Sequence, residues 1–173
     1  MTRPPRDLAA LPLTYAEVGA SLAGPLPAGY HHTRASAVVG HGRAVLERHA
    51  DAVLRFEMHR RAGLLVDARA PRAAVGVDVE VALPLGPLRV RALDRVVAVV
   101  DEPDRRGFAY GTLAGHPEQG EEAFVVTIDG DDVVRLEIRA FWRSVRWYSR
   151  LGGPVTVAVQ RAITRRYLAV RVA

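Results

Sequence analysis

The chain has 173 residues, 49% of them apolar, a formal charge of +5 and no cysteine. That length suits one domain with a substantial core, and the missing cysteines exclude a disulfide framework, a thiolate zinc site and a cysteine nucleophile. All 24 basic residues are arginine, scattered in short pairs such as Arg60-Arg61, Arg105-Arg106 and Arg165-Arg166, so the charge reads as solvated surface and no nucleic-acid partner is expected.

Residues 1–12 open with Pro4 and Pro5 and read as a loose arm; residues 13–173 read as a single domain. No stretch approaches the roughly 18 apolar residues of a membrane helix, and the N-terminus lacks the apolar run of a signal peptide. A cytoplasmic protein without membrane insertion is therefore expected, its oligomeric state left open. Thr14 to Glu17 has the T-x-x-E spacing of a capping box, which predicts a short helix from Tyr15 to about Leu22, ended by Pro25, Pro27 and Gly29. Tyr30 to Val39 reads as the first strand. Arg43 to Arg61 reads as one long helix with Val45, His49, Ala52, Val53 and Phe56 on its apolar face. His59, Arg60 and Arg61 suit its negative end, and Gly63 its stop.

The period then changes to two. Val77, Val79, Val81 and Leu83 alternate with Asp78 and Glu80, as in a half-buried strand. Leu88 to Val100, Gly107 to Leu113, Gly120 to Ile128 and Val133 to Trp142 continue the strands, the last two joined by the turn Asp129-Gly130-Asp131. Gly152-Gly153-Pro154 breaks the chain and opens a helix. Val155, Val159, Ile163, Tyr167 and Val170 then recur at steps of three and four, an amphipathic helix of about four to five turns. A run of strands followed by a helix, without alternation, predicts an α+β fold. Its form is a curved antiparallel sheet closed by a long C-terminal helix, with an additional helix after the first strand and room for a pocket.

The densest polar stretch is Gly107 to Phe124, GFAYGTLAGHPEQGEEAF. Its glycines are not spaced as a phosphate-binding loop and no lysine follows. It reads either as a hairpin whose loop needs glycine or as a pocket mouth carrying His116, Glu118 and Glu122. Glu122 shares a strand face with Phe124, Val126 and Ile128, and Glu121 shares the other with Ala123, Val125 and Thr127. A carboxylate on the more apolar, inner face must be paired, hydrogen-bonded or functional; a slip of one residue would hand that place to Glu121. Tyr110, Trp147 and Tyr148 are aromatics with polar tips, suited to a pocket or to the core. His31, His32, His41 and His49 lack metal-site spacing and there is no H-E-x-x-H, so no metal and no cofactor is expected.

The segments LTYAEVGAS, LPAGY, MHRRAGL, GFAYGTLAGHPEQGEEAF, RWYSRLGGP and RRYL, in that order, resemble an uncharacterised protein family without an assigned activity. The resemblance runs from Leu13 to about Leu168. One departure is Phe56-Glu57 before Met58, where the family pattern has Trp and Arg. That family is similar to the helix-grip superfamily, which takes in START lipid-transfer domains, the birch-pollen-allergen type and polyketide cyclases. The resemblance implies a sheet gripping the C-terminal helix around a hydrophobic cavity, and it brings no catalytic residues.

Three functions follow, in descending order. The first is binding of a small hydrophobic or amphipathic ligand. Val134, Leu136, Ile138 and Trp142 would line the sheet side, with Val155, Val159 and Ile163 opposite. Tyr110, His116, Glu118, Glu122, Trp147 and Tyr148 would complete the site. The second is an enzyme on the same scaffold, with Glu122 as acid or base and Tyr110 or His116 as donor. The third is a protein-interaction module through the helix arginines Arg161, Arg165 and Arg166.

Overall fold

The period-two segments pair into one seven-stranded sheet. The computed structural model describes residues 8–145 and 153–172. Its elements are β1 (His31–His41), α1 (Arg43–Leu54), α2 (Glu57–Arg61), β2 (Leu65–Ala68), β3 (Asp78–Leu85), β4 (Leu88–Glu102), β5 (Arg105–Thr112), β6 (Glu118–Ile128), β7 (Val133–Ser144) and α3 (Gly153–Ala169). The strands lie in the order β1-β7-β6-β5-β4-β3-β2, every neighbouring pair antiparallel. Register shifts at Val38/Gly40 and Val96/Ala98 mark bulges, which bend strands and help the sheet curve.

One end of the concave face is filled. Phe108, Phe124, Val126, Leu136 and Ile138 pack there against Leu46, Val53, Phe56 and Met58 of the helical segment. Val134, Leu136 and Ile138 therefore belong to the packed core and not to a cavity wall, a correction to the expected lining. The reason is the helix after β1, which covers that end.

The expected single helix from Arg43 to Arg61 is broken. Phe56 stands between α1 and α2 in the left-handed region (φ 60). That conformation costs a non-glycine residue about 1–2 kcal/mol. Phe56 is fully buried and meets Phe108 edge to face at 5.3 Å, and its burial offsets the cost.

The convex face is also covered. Tyr15 and Leu26 pack on Phe141, and Leu22 on Ala109, Ala123 and Val125. Residues 14–30 run as turns and no helix forms between Tyr15 and Leu22. The capping box fails because its members are engaged elsewhere. Thr14 Oγ1 pairs with Thr112 Oγ1, and Glu17 accepts from the Tyr30 hydroxyl and the Ala16 amide. From Leu8 onward the arm is packed, not loose: Leu8 lies against Leu93 and Leu113, and the Leu8 and Leu11 carbonyls accept from Arg95.

Candidate functional site

Between the unfilled part of the sheet and α3 lies a cavity of about 350 Å³, within the range of small-molecule sites. Strand alternation sets its sheet wall: Val90, Ala92 and Asp94 from β4, Tyr110 and Thr112 from β5, Glu122 from β6, Ala140 and Trp142 from β7. The stripe on α3 supplies Val155, Val159, Ile163 and Tyr167, with Gln160 beside it. The stripe is exposed at its start and buried at its end, from Val155 at 65% to Tyr167 at 2%. Together with exposed Leu85 and Val90, the start of α3 makes an apolar mouth.

The buried wall is polar. His116 and Glu118, expected at the mouth, are over nine-tenths buried and lie inside it. Glu122 keeps part of its surface open, and that surface faces the cavity. Its Oε2 accepts from the Tyr110 hydroxyl at 3.3 Å. Burial first, and Glu118 beside it, push the Glu122 carboxyl up to about 8 against the Tyr110 bond, which lowers it. Glu118 is pushed up to about 7 by burial, while its contact from the Gln160 amide acts the other way. His116 Nδ1 lies 2.8 Å from the Glu118 amide nitrogen and 2.9 Å from the Glu118 carbonyl oxygen. Its Nε2 faces Asp94 Oδ1 at 3.7 Å, too long for a hydrogen bond. Burial holds His116 down to about 4, so the ring is neutral.

Asp94 was not among the residues singled out from the sequence. It is 2% exposed, and its Oδ1 has no hydrogen-bond partner. Burial, then Glu122, then Glu118 raise its carboxyl well above the usual range. A signal was present: Val90, Ala92, Asp94 and Val96 alternate on one face of β4, and an aspartate among them must point inward. Thr112, Gln160 and Tyr167 are further polar members that sequence reasoning did not place in the site.

Of the residues expected in the site, Tyr110, His116, Glu118, Glu122, Trp142, Val159 and Ile163 are brought together around the cavity. Trp147 and Tyr148 lie outside the described residues. Arg161 and Arg165 turn away from the cavity and line a separate groove with His31, His32 and Arg34 of β1. Glu121, the alternative to Glu122, is buried for a different reason. Its carboxylate points to the convex face and accepts from Tyr15, from the Gly19 amide, and from the Ser21 amide and hydroxyl.

Beneath the polar wall sits His59, fully buried, both ring nitrogens without partners. Its ring meets Phe124 at 4.7 Å and Tyr167 at 5.0 Å between centroids. Burial, and then Arg60, hold it down to about 3. Of these rings Tyr167 lines the cavity, and the other two pack against it.

A curved antiparallel sheet, a C-terminal helix across its concave face and a cavity between them define the helix-grip class. Two solved structures share the architecture. A hypothetical protein, jhp0584, from Helicobacter pylori matches with a TM-score of 0.53 at 12% identity, over 82% of this chain and 86% of that one. Ginseng major latex-like protein 151 from Panax ginseng matches at 0.50 and 16% identity, over 83% and 99%. Within that class the chain belongs to the family described as a domain of unknown function (DUF1990), whose pattern spans residues 14–170. A relative, the UPF0548 protein of Deinococcus radiodurans, is 36% identical over 169 residues, 89% of this chain and 83% of that protein. Among the described residues no helix is long and apolar enough to cross a membrane.

Proposed function

We propose that this protein holds a small apolar or amphipathic molecule between the sheet and α3. The observation that carries the reading is the cavity itself, about 350 Å³ with an apolar mouth and a buried polar end. Tyr110, His116, Glu118 and Glu122 fix the polar end of the guest, while Trp142, Val159 and Ile163 pack against its body. Native mass spectrometry of protein purified without denaturation, beside a denatured control, tests it. An extra mass lost on denaturation is expected, or uptake of the neutral dye Nile red that Ala92→Trp abolishes by filling the space. A protein that carries no extra mass and takes up no dye would discard the reading.

A second reading rests on one observation, the Glu122 carboxyl pushed up to about 8 with a phenol at 3.3 Å. A group poised near neutrality can give and take a proton, so Glu122 serves as acid or base and Tyr110 as donor. Glu122→Gln is then expected to abolish turnover of a substrate that still binds. Turnover retained in that variant rules the assignment out.

A further inference from the structure

The cavity wall is acidic. Asp94, Glu118 and Glu122 line it, and no arginine does among the described residues, in a chain with 24 of them. A buried carboxylate without a cation is expensive, so burial and their closeness to one another keep protons on these three, and a cation placed among them would let them ionise. The protein satisfies them only in part. Glu122 receives one long bond from Tyr110, Glu118 receives the Gln160 amide, and Asp94 Oδ1 receives nothing. His116 cannot supply the charge, because its ring stays neutral down to about pH 4. Among the described residues no three metal-ligating side chains are gathered closely enough to hold a metal ion. A larger cation with several N–H donors suits the spacing better. Tyr110 from the sheet and Tyr167 from α3 also line the cavity, and an ammonium seated over either ring would gain cation–π attraction.

Building on the cavity-binding reading, we propose that the guest carries a protonated amine at its polar end, seated against Asp94, Glu118 and Glu122. Its apolar body runs out along Ile163 and Val159 toward Leu85 and Val90. Each N–H of the ammonium then meets an acceptor, and the unpartnered oxygen of Asp94 gains its donor. A carboxylate guest finds acidic groups and, among the described residues, no cation on that wall, and a neutral alcohol makes the same apolar contacts without the charge.

Isothermal titration of the full chain with n-octylamine, n-octanol and octanoate at pH 7 separates these cases. The amine is expected to bind at least about tenfold more tightly than the alcohol, since a charge-assisted hydrogen bond exceeds a neutral one by about that much, and octanoate most weakly. Asp94→Asn and Glu122→Gln should each shrink the preference for amine over alcohol to about threefold or less. Both variants should still unfold in a single cooperative urea transition, showing an intact fold. Octanol binding as tightly as octylamine, octanoate binding tightest, or a preference unchanged in both variants overturns the amine assignment alone. Failure of all three probes overturns the cavity-binding reading and the amine assignment with it.

Discussion

Glu121 and Glu122 are neighbours on β6 with opposite duties, and replacing each by glutamine separates them. Glu121 Oε1 receives the Ser21 amide at 2.9 Å and the Ser21 hydroxyl at 2.6 Å, and Oε2 receives the Gly19 amide at 2.7 Å and the Tyr15 hydroxyl at 2.6 Å. All four partners donate, and a carboxamide offers only one oxygen. With that oxygen on Ser21, the new amide nitrogen faces the Gly19 N–H, donor against donor, while Tyr15 can turn its hydroxyl to accept. One orphaned buried N–H costs about 1–3 kcal/mol, and the surviving contacts lose their charge assistance. The sum is about 3 kcal/mol, or roughly 6–12 °C in Tm for a chain of this length. Glu122→Gln is different. It keeps an acceptor for Tyr110 and removes a carboxyl that burial already holds protonated up to about pH 8, so stability at pH 8.5 should equal or exceed that of the parent. Urea unfolding followed by tryptophan fluorescence measures both. The reasoning is refuted if Glu121→Gln stays within about 0.5 kcal/mol of the parent, or if Glu122→Gln is the more damaging change.

Stability should also depend on pH with a broad maximum. Glu122 and Glu118, raised to about 8 and 7, keep protons that the unfolded chain sheds near 4.5, so stability falls as pH rises from there. His59 and His116, lowered to about 3 and 4, stay neutral while the unfolded chain takes up protons below 6.5, so stability falls as pH drops. The opposing slopes meet between 4.5 and 6.5, and urea midpoints that rise from pH 6.5 to 8.5 would contradict this. Gly111→Ala should loosen the N-terminal segment, because a Cβ there would lie 2.0 Å from the Tyr15 hydroxyl oxygen. The expected cost is about 1–3 kcal/mol, with faster proteolysis between residues 8 and 30; unchanged cleavage would mean Tyr15 yields freely.

The strands and α3 were legible because periods of two and four survive any tertiary context. Glu122 on the inner face followed from the same alternation. The break at Phe56 was not legible, because Val45, His49, Val53 and Phe56 continue a helical stripe without interruption. Only the packing of Phe56 on Phe108 and His59 decides it. The T-x-x-E pattern misled because Thr14 and Glu17 find long-range partners that no local rule records. Asp94 was less legible, because it sits among Arg89, Arg91 and Arg95 in a strand whose charges do not mark which face is the wall.

Tyr167 stands at the buried end of the cavity with His59 and Phe124 packed around it, while Leu85, Val90 and Val155 leave the other end open to solvent. A socket closed on one side only reads one end of whatever enters it. On the proposed reading, the group that arrives first would meet Asp94, Glu118 and Glu122, and everything behind it need only be apolar. Such a socket would be strict about heads and indifferent to tails, and would take a series of molecules sharing one terminal group in place of a single compound.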